Sequence, residues 1–160
     1  MKKLSLLLGS MAIAATLSTP AVAKKLTAQE QLLVGTWQCK SEVNVPDVMQ
    51  IRLASNETYA ANGELTSQGK MTLSMLGDHV NYDITSKSTW QLQGDQLHFV
   101  IKEITHFETD VPELEEMFKL KEQILAEPPA TVKILALDKH HLKILDEKIP
   151  ETPYTIECTR

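Results

Sequence analysis

The stretch MTLSMLGDHVNYDITSKSTWQLQGDQLHFVI, residues 71–101, decides the fold. Met71, Leu73 and Met75 alternate with other residues, and Gly77-Asp78 then breaks the run. Val80, Tyr82 and Ile84 resume the alternation. Trp90 and Leu92 keep the same parity, with Ser86 and Ser88 between them. Gly94-Asp95 is a further turn before Leu97, Phe99 and Ile101. Successive strand side chains point to opposite faces, so this period of two marks strands with one buried face. Turns at this spacing give an antiparallel meander, because parallel strands need a helical crossover between them. The polar run Ser86-Lys87-Ser88 predicts a break between two strands.

Upstream, Met49, Ile51 and Leu53 share one parity and Tyr59 lies further on. Asn62-Gly63 reads as a tight hairpin, since both residues tolerate positive φ. Val34-Gly35-Thr36-Trp37-Gln38-Cys39 has the alternation of a first strand. Thr27 and Glu30 have capping-box spacing, which predicts a short helical turn before it. Asn44 to Asp47 reads as a loop. Downstream, the β pattern stops. Asp110 and Glu113 make a capping pair with Pro112 in the first turn. Leu114, Met117, Phe118, Lys121, Ile124 and Leu125 follow helical spacing until Pro128-Pro129. One inserted α-helix over about 111–126 is expected. Residues 132–137 and 141–145 then flank a turn at Asp138-Lys139. After a loop over 146–153, Tyr154, Ile156 and Cys158 form a closing strand. The expectation is a mainly β chain of about eight antiparallel strands in an up-and-down meander, closed into a small barrel. Closure removes both exposed sheet edges.

The start of the chain carries a different signal. Lys2 and Lys3 precede an apolar stretch from Leu4 to Leu17, and Pro20 precedes Ala21-Val22-Ala23. This is the pattern of a secretory signal peptide with an A-x-A cleavage site. Residues 1–23 are expected to be removed, which leaves a single domain over 24–160 in the periplasm or secreted. The apolar stretch is too short and too diluted for a stable membrane anchor. The chain has 16 basic and 21 acidic residues, a formal charge of −5. Losing Lys2 and Lys3 takes the basic count to 14 and the charge to −7. No basic cluster is present, which argues against nucleic acid and against an anionic membrane surface as partners. Two cysteines, Cys39 and Cys158, allow one intramolecular bond in an exported chain. That bond would tie the first strand to the last.

Gly35-Thr36-Trp37 on the first strand, behind a short helical turn, resembles the Gly-x-Trp motif of lipocalins and the wider calycin group. The meander and the size of the chain match as well. The resemblance covers residues 33–158 in architecture and 35–37 in motif, and it is to small bacterial lipocalin-like proteins of the envelope. It implies a lipocalin-like barrel closed at its base by Gly35 and Trp37. The Thr-Asp-x-Tyr turn of that group is absent from this chain.

Candidate chemistry is sparse. His79, His98, His106, His140 and His141 match no metal-ligand spacing. His98 and His106 alone would stand roughly 26 Å apart in extended geometry. No Gly-x-Ser-x-Gly surrounds any serine, and the acidic residues of the helix read as a solvated face. No catalytic residue, metal or cofactor is expected. The methionines suggest a permissive apolar interior. Met49, Ile51, Met71, Leu73, Met75, Tyr82 and Ile84 are the expected lining of a pocket for an apolar or amphipathic ligand, with Phe118 above it on a lid helix. The alternative is a filled barrel that works as a periplasmic interaction module, an inhibitor, sensor or accessory subunit for an envelope protein. A monomer is expected in either case.

Overall fold

The computed structural model describes residues 25–45, 48–75, 77–148 and 152–160. The expected signal peptide, residues 1–23, lies outside the described residues. So do Pro46 and Asp47 of the first loop and residues 149–151 of the last. The element order is α1 (Ala28–Leu33), β1 (Gly35–Val45), β2 (Met49–Tyr59), β3 (Glu64–Met75), β4 (Asp78–Gln93), β5 (Gln96–Thr109), α2 (Pro112–Phe118), α3 (Leu120–Ala126), β6 (Ala130–Leu137), β7 (His141–Asp146) and β8 (Tyr154–Thr159). Each strand pairs antiparallel with the next, and β8 returns to β1, so the sheet is a closed eight-stranded barrel.

Three local expectations are corrected. First, β4 is one unbroken strand across Ser86-Lys87-Ser88. The irregularity lies in its partner. Register shifts between Thr85/Ser86 and Lys87/Ser88 leave Thr105 and Lys102 of β5 unpaired as bulges. Bulges add twist and bend a strand, which helps a sheet to curl. Second, the expected single helix is two. Lys119 adopts φ 51° and ψ 45°, a left-handed conformation that ends α2. The Glu115 carboxylate then accepts from the backbone N–H groups of Leu120 and Lys121, at 3.2 and 3.0 Å, and so caps α3. Apolar spacing runs on across this break, so periodicity alone does not reveal it. Third, the Asn62-Gly63 hairpin has positive φ only at Gly63. Gly63 N–H donates to Ala60 C=O and Ala60 N–H to Glu64 C=O, which closes a longer loop than the two-residue turn expected.

The core fills one end of the barrel. Leu33, Trp37, Tyr59, Leu65, Trp90, Leu97, Val132 and Leu142 are buried together there. The α1 helix begins with the expected capping box, in which Thr27 and Glu30 satisfy each other's backbone N–H groups. Its end is tied to the barrel by the Trp37 indole, which donates to Leu33 C=O at 2.8 Å. Arg160 seals the outside of this base. Its guanidinium lies 4.0 Å from the Trp37 ring centroid and donates to the carbonyls of Leu32, Val34 and Lys139. Gly35, at φ +126°, leaves it room: a Cβ there would stand 2.6 Å from Arg160 Nη1. Beside this base, the Cys39–Cys158 disulfide crosses the β1–β8 seam, where the two residues are direct register partners.

Two seams are short. β8 pairs with β1 only from Gln38 to Ser41, and β6 pairs with β5 only from Gln96 to Phe99. Beyond Phe99 the edge of β5 has no β6 partner, and α3 packs against β5. No helix among the described residues is long and apolar enough to cross a membrane.

The β2–β3 contact is unusually close at Gly69. A Cβ on Gly69 would meet Ser55 Cβ at 2.7 Å and Ala54 C=O at 2.9 Å. Neither neighbour is the free end of a long side chain, so strands would have to move. Gly69→Ala is expected to destabilise by about 1–3 kcal/mol through overpacking. Urea unfolding followed by tryptophan fluorescence would show it, and an unchanged midpoint would refute the close approach.

Candidate functional site

Above the packed base the barrel interior is not filled. One cavity of about 170 Å³ lies against the base, lined by Tyr59, Leu65, Ser88, Leu97, Phe99 and Val132 among others. A second, of about 320 Å³, continues away from the base between Met71, Ile84, Ile104, Gly69 and Ile124 of α3. Cys39, Glu57, Ser67, Ser86, Ile101 and Ile156 line both.

Strand register explains the lining. Trp37 pairs with Glu57, Glu57 with Ser67 and Ser67 with Ser86. Successive partners across a sheet share a face, so Glu57, Ser67 and Ser86 form one polar row on the inner wall. Ser55 and Ser88 lie one step to either side in the inward register. The facing wall is aliphatic, with Ile101 and Ile104 on β5, Ile144 on β7 and Ile156 on β8. The interior therefore carries one polar row across β2–β4, flanked by Tyr59, Leu65, Met71 and Ile84, and faces an aliphatic wall on β5–β8.

Glu57 is the chemically distinctive member. The hydroxyls of Ser55 and Ser67 both donate to its Oε1, at 2.7 and 2.9 Å. Burial pushes its carboxyl above the ordinary carboxylate range, and the two serine hydrogen bonds pull the other way. Its charge in turn adds to the burial that raises the Tyr59 phenol. A carboxyl raised in the folded state contributes stability below its unfolded value and loses that contribution as pH rises through the folded one. The two serine hydrogen bonds offset part of that cost of burial.

The expected pocket residues divide. Met49, Ile51, Met71, Leu73, Tyr82 and Ile84 all fall in the inward register. Of these, Met71 and Ile84 line the larger cavity. Tyr82 is buried further from the base, with its ring 5.6 Å from that of Phe107, and Val43 and Val80 are buried at that level too. Met75 is at the exposed rim and Phe118 is 44% exposed. The residue that α3 brings to the cavity is Ile124 instead. Sequence reasoning missed Ser55, Glu57, Ser67, Ile101, Ile104 and Ile156. Ser55 and Glu57 share the odd parity of Met49, Ile51, Leu53 and Tyr59, which is the signal that would have found them.

Groups elsewhere do not converge. His79 pairs with Ser74, His98 with Thr131, and His106 lies 3.6 Å from Glu108. The Asp138 carboxylate accepts from the backbone N–H groups of His140 and His141, which hold it below its usual range. Among the described residues no three His, Cys, Asp or Glu side chains are grouped to hold a metal.

Compared with known proteins, the chain matches no family model and no curated protein. Among solved structures it is similar to the de novo design of a fluorescence-activating β-barrel. Identity is 11% and the TM-score 0.42, over 84% of this chain and 99% of that one.

Proposed function

We propose that this is an exported, lipocalin-like barrel that binds one small amphipathic molecule inside. The observation that carries this is the unfilled, mainly apolar interior crossed by one polar row, Glu57, Ser67 and Ser86. Its larger cavity, about 320 Å³, falls at the lower end of the 300–1,000 Å³ usual for small-molecule sites. Eight strands is also the size at which a barrel can either fill with side chains or hold one small ligand. Export is supported by the signal-peptide pattern of residues 1–23 and by the Cys39–Cys158 bond, since disulfides persist in oxidising compartments. The interaction-module alternative draws on the exposure of Met117, Phe118 and Leu125 along α2 and α3. It also needs a filled barrel, and the cavity weighs against it.

The test is uptake of an uncharged apolar dye, N-phenyl-1-naphthylamine. Saturable one-to-one binding with a blue-shifted emission is expected. Ile101→Trp, which projects an indole into the shared part of both cavities, should weaken that binding at least tenfold while the β-sheet circular dichroism stays intact. Equal binding by wild type and variant would put the dye outside the barrel and end this reading.

A further inference from the structure

The ligand-binding reading leaves open which ligands fit, and the inner wall narrows the choice. An interior carboxylate is held best by an opposite charge, and among the described residues Glu57 is met by two hydroxyls and no cation. Lys40 and Lys70 border the larger cavity, but both fall in the outward register of their strands and are exposed. Both serine bonds fall on Oε1, and no hydrogen bond among the described residues engages Oε2. Ser86, the next residue in the same row, lines both cavities and can accept a further hydrogen bond.

Resting on the binding reading above, we propose that the cavity is a site for a small amphipathic amine, with Glu57 as counter-ion to its ammonium head. The head sits where the two cavities join, donating to Glu57 Oε2 and to the hydroxyls of Ser67 and Ser86. The hydrocarbon body runs along Ile101, Ile104 and Ile156 toward Ile124. The ammonium supplies the counter-charge that the part-buried carboxylate lacks, so ligand and wall each relieve the other's lost hydration. A fatty acid would set a second carboxyl against Glu57, and like charges at close range disfavour that. A neutral alcohol would satisfy the hydrogen bond but leave the charge unpaired. The net negative charge of the chain also favours cations near the barrel mouth.

Decylamine, decanol and decanoic acid share one tail and differ in the head. They can be compared at pH 7 by displacement of N-phenyl-1-naphthylamine and by isothermal titration on the oxidised protein. Decylamine is expected to bind at least tenfold more tightly than either of the others. Glu57→Gln should remove that preference, weakening decylamine tenfold or more and decanol by less than threefold. Should Glu57→Gln fail to fold, the three-way comparison on the wild type still decides. If decanol or decanoic acid matches decylamine while the dye still binds, the amine assignment is wrong and the general binding reading survives. If neither the dye nor any of the three binds, both fall.

Discussion

Replacing Trp37 with alanine is expected to lower the free energy of unfolding by about 3–5 kcal/mol, the range for deleting a fully buried large aromatic side chain. The ring is 0% exposed at the centre of the barrel base. Three losses coincide. The cavity left behind is bounded by strands and by α1, which limits collapse. Leu33 C=O loses its indole donor. The Arg160 guanidinium loses the ring face beneath it, and cation–π contacts of this sort contribute roughly 0.5–2 kcal/mol. Trp90 remains as a fluorescent reporter for urea denaturation. A loss below about 1 kcal/mol would mean that the base is held by other residues and that the comparison with the lipocalin Gly-x-Trp is misplaced.

Removing the Cys39–Cys158 bond is the second large effect. It joins residues 119 apart in sequence. Cross-linking so long a loop restricts the unfolded chain strongly, and loss of a native disulfide commonly costs about 2–5 kcal/mol. Cys39→Ser with Cys158→Ser should lower the thermal midpoint by a corresponding margin while dye binding at low temperature persists. Both sulfurs are held in the bond, so alkylation should find no thiol even in denaturant. Intact mass of protein taken from the periplasm should show the loss of residues 1–23 and of two hydrogens. Two accessible thiols, or an unprocessed mass, would remove the support for export.

The fold was legible because its signal is local and repeated. Alternation through Met71, Val80, Tyr82 and Leu97, punctuated by Gly77 and Gly94, is a property of neighbouring residues. The backbone reports it directly, in paired strands with positive φ at both glycines. The capping box at Thr27 and Glu30 was legible for the same reason. What escaped was non-local. Arg160 meets Trp37 across 123 positions, and nothing near Arg160 in sequence announces it. The bulges at Lys102 and Thr105 depend on how β5 must bend to stay with β4. Lys119 breaks a helix whose apolar spacing never falters, because the cause is a carboxylate four residues earlier. The cavity lining was legible only in part. Apolar parity marks Met49, Leu73 and Tyr82 as readily as Met71 and Ile84, and it passes over Ser67 and Glu57. Inward-facing apolar residues mostly pack against one another. In this barrel Glu57, Ser67 and Ser86 face open space together with Met71, Ile84 and Ile101.

The short β1–β8 seam has a consequence for how the barrel comes together. Its four residue pairs join the two ends of the sheet, whereas the hairpins from β2 to β5 link neighbours along the chain. Contacts between distant residues carry the larger loop-closure entropy and slow a folding reaction, while neighbouring hairpins form early. The meander is thus the natural first product, a curled sheet with β1 and β8 as free edges. Native pairing of Cys39 with Cys158 becomes geometrically available only when those edges meet. Oxidation then acts as a latch on a finished barrel rather than a guide toward it, and the open-edged sheet is the species most exposed to edge-to-edge association on the way.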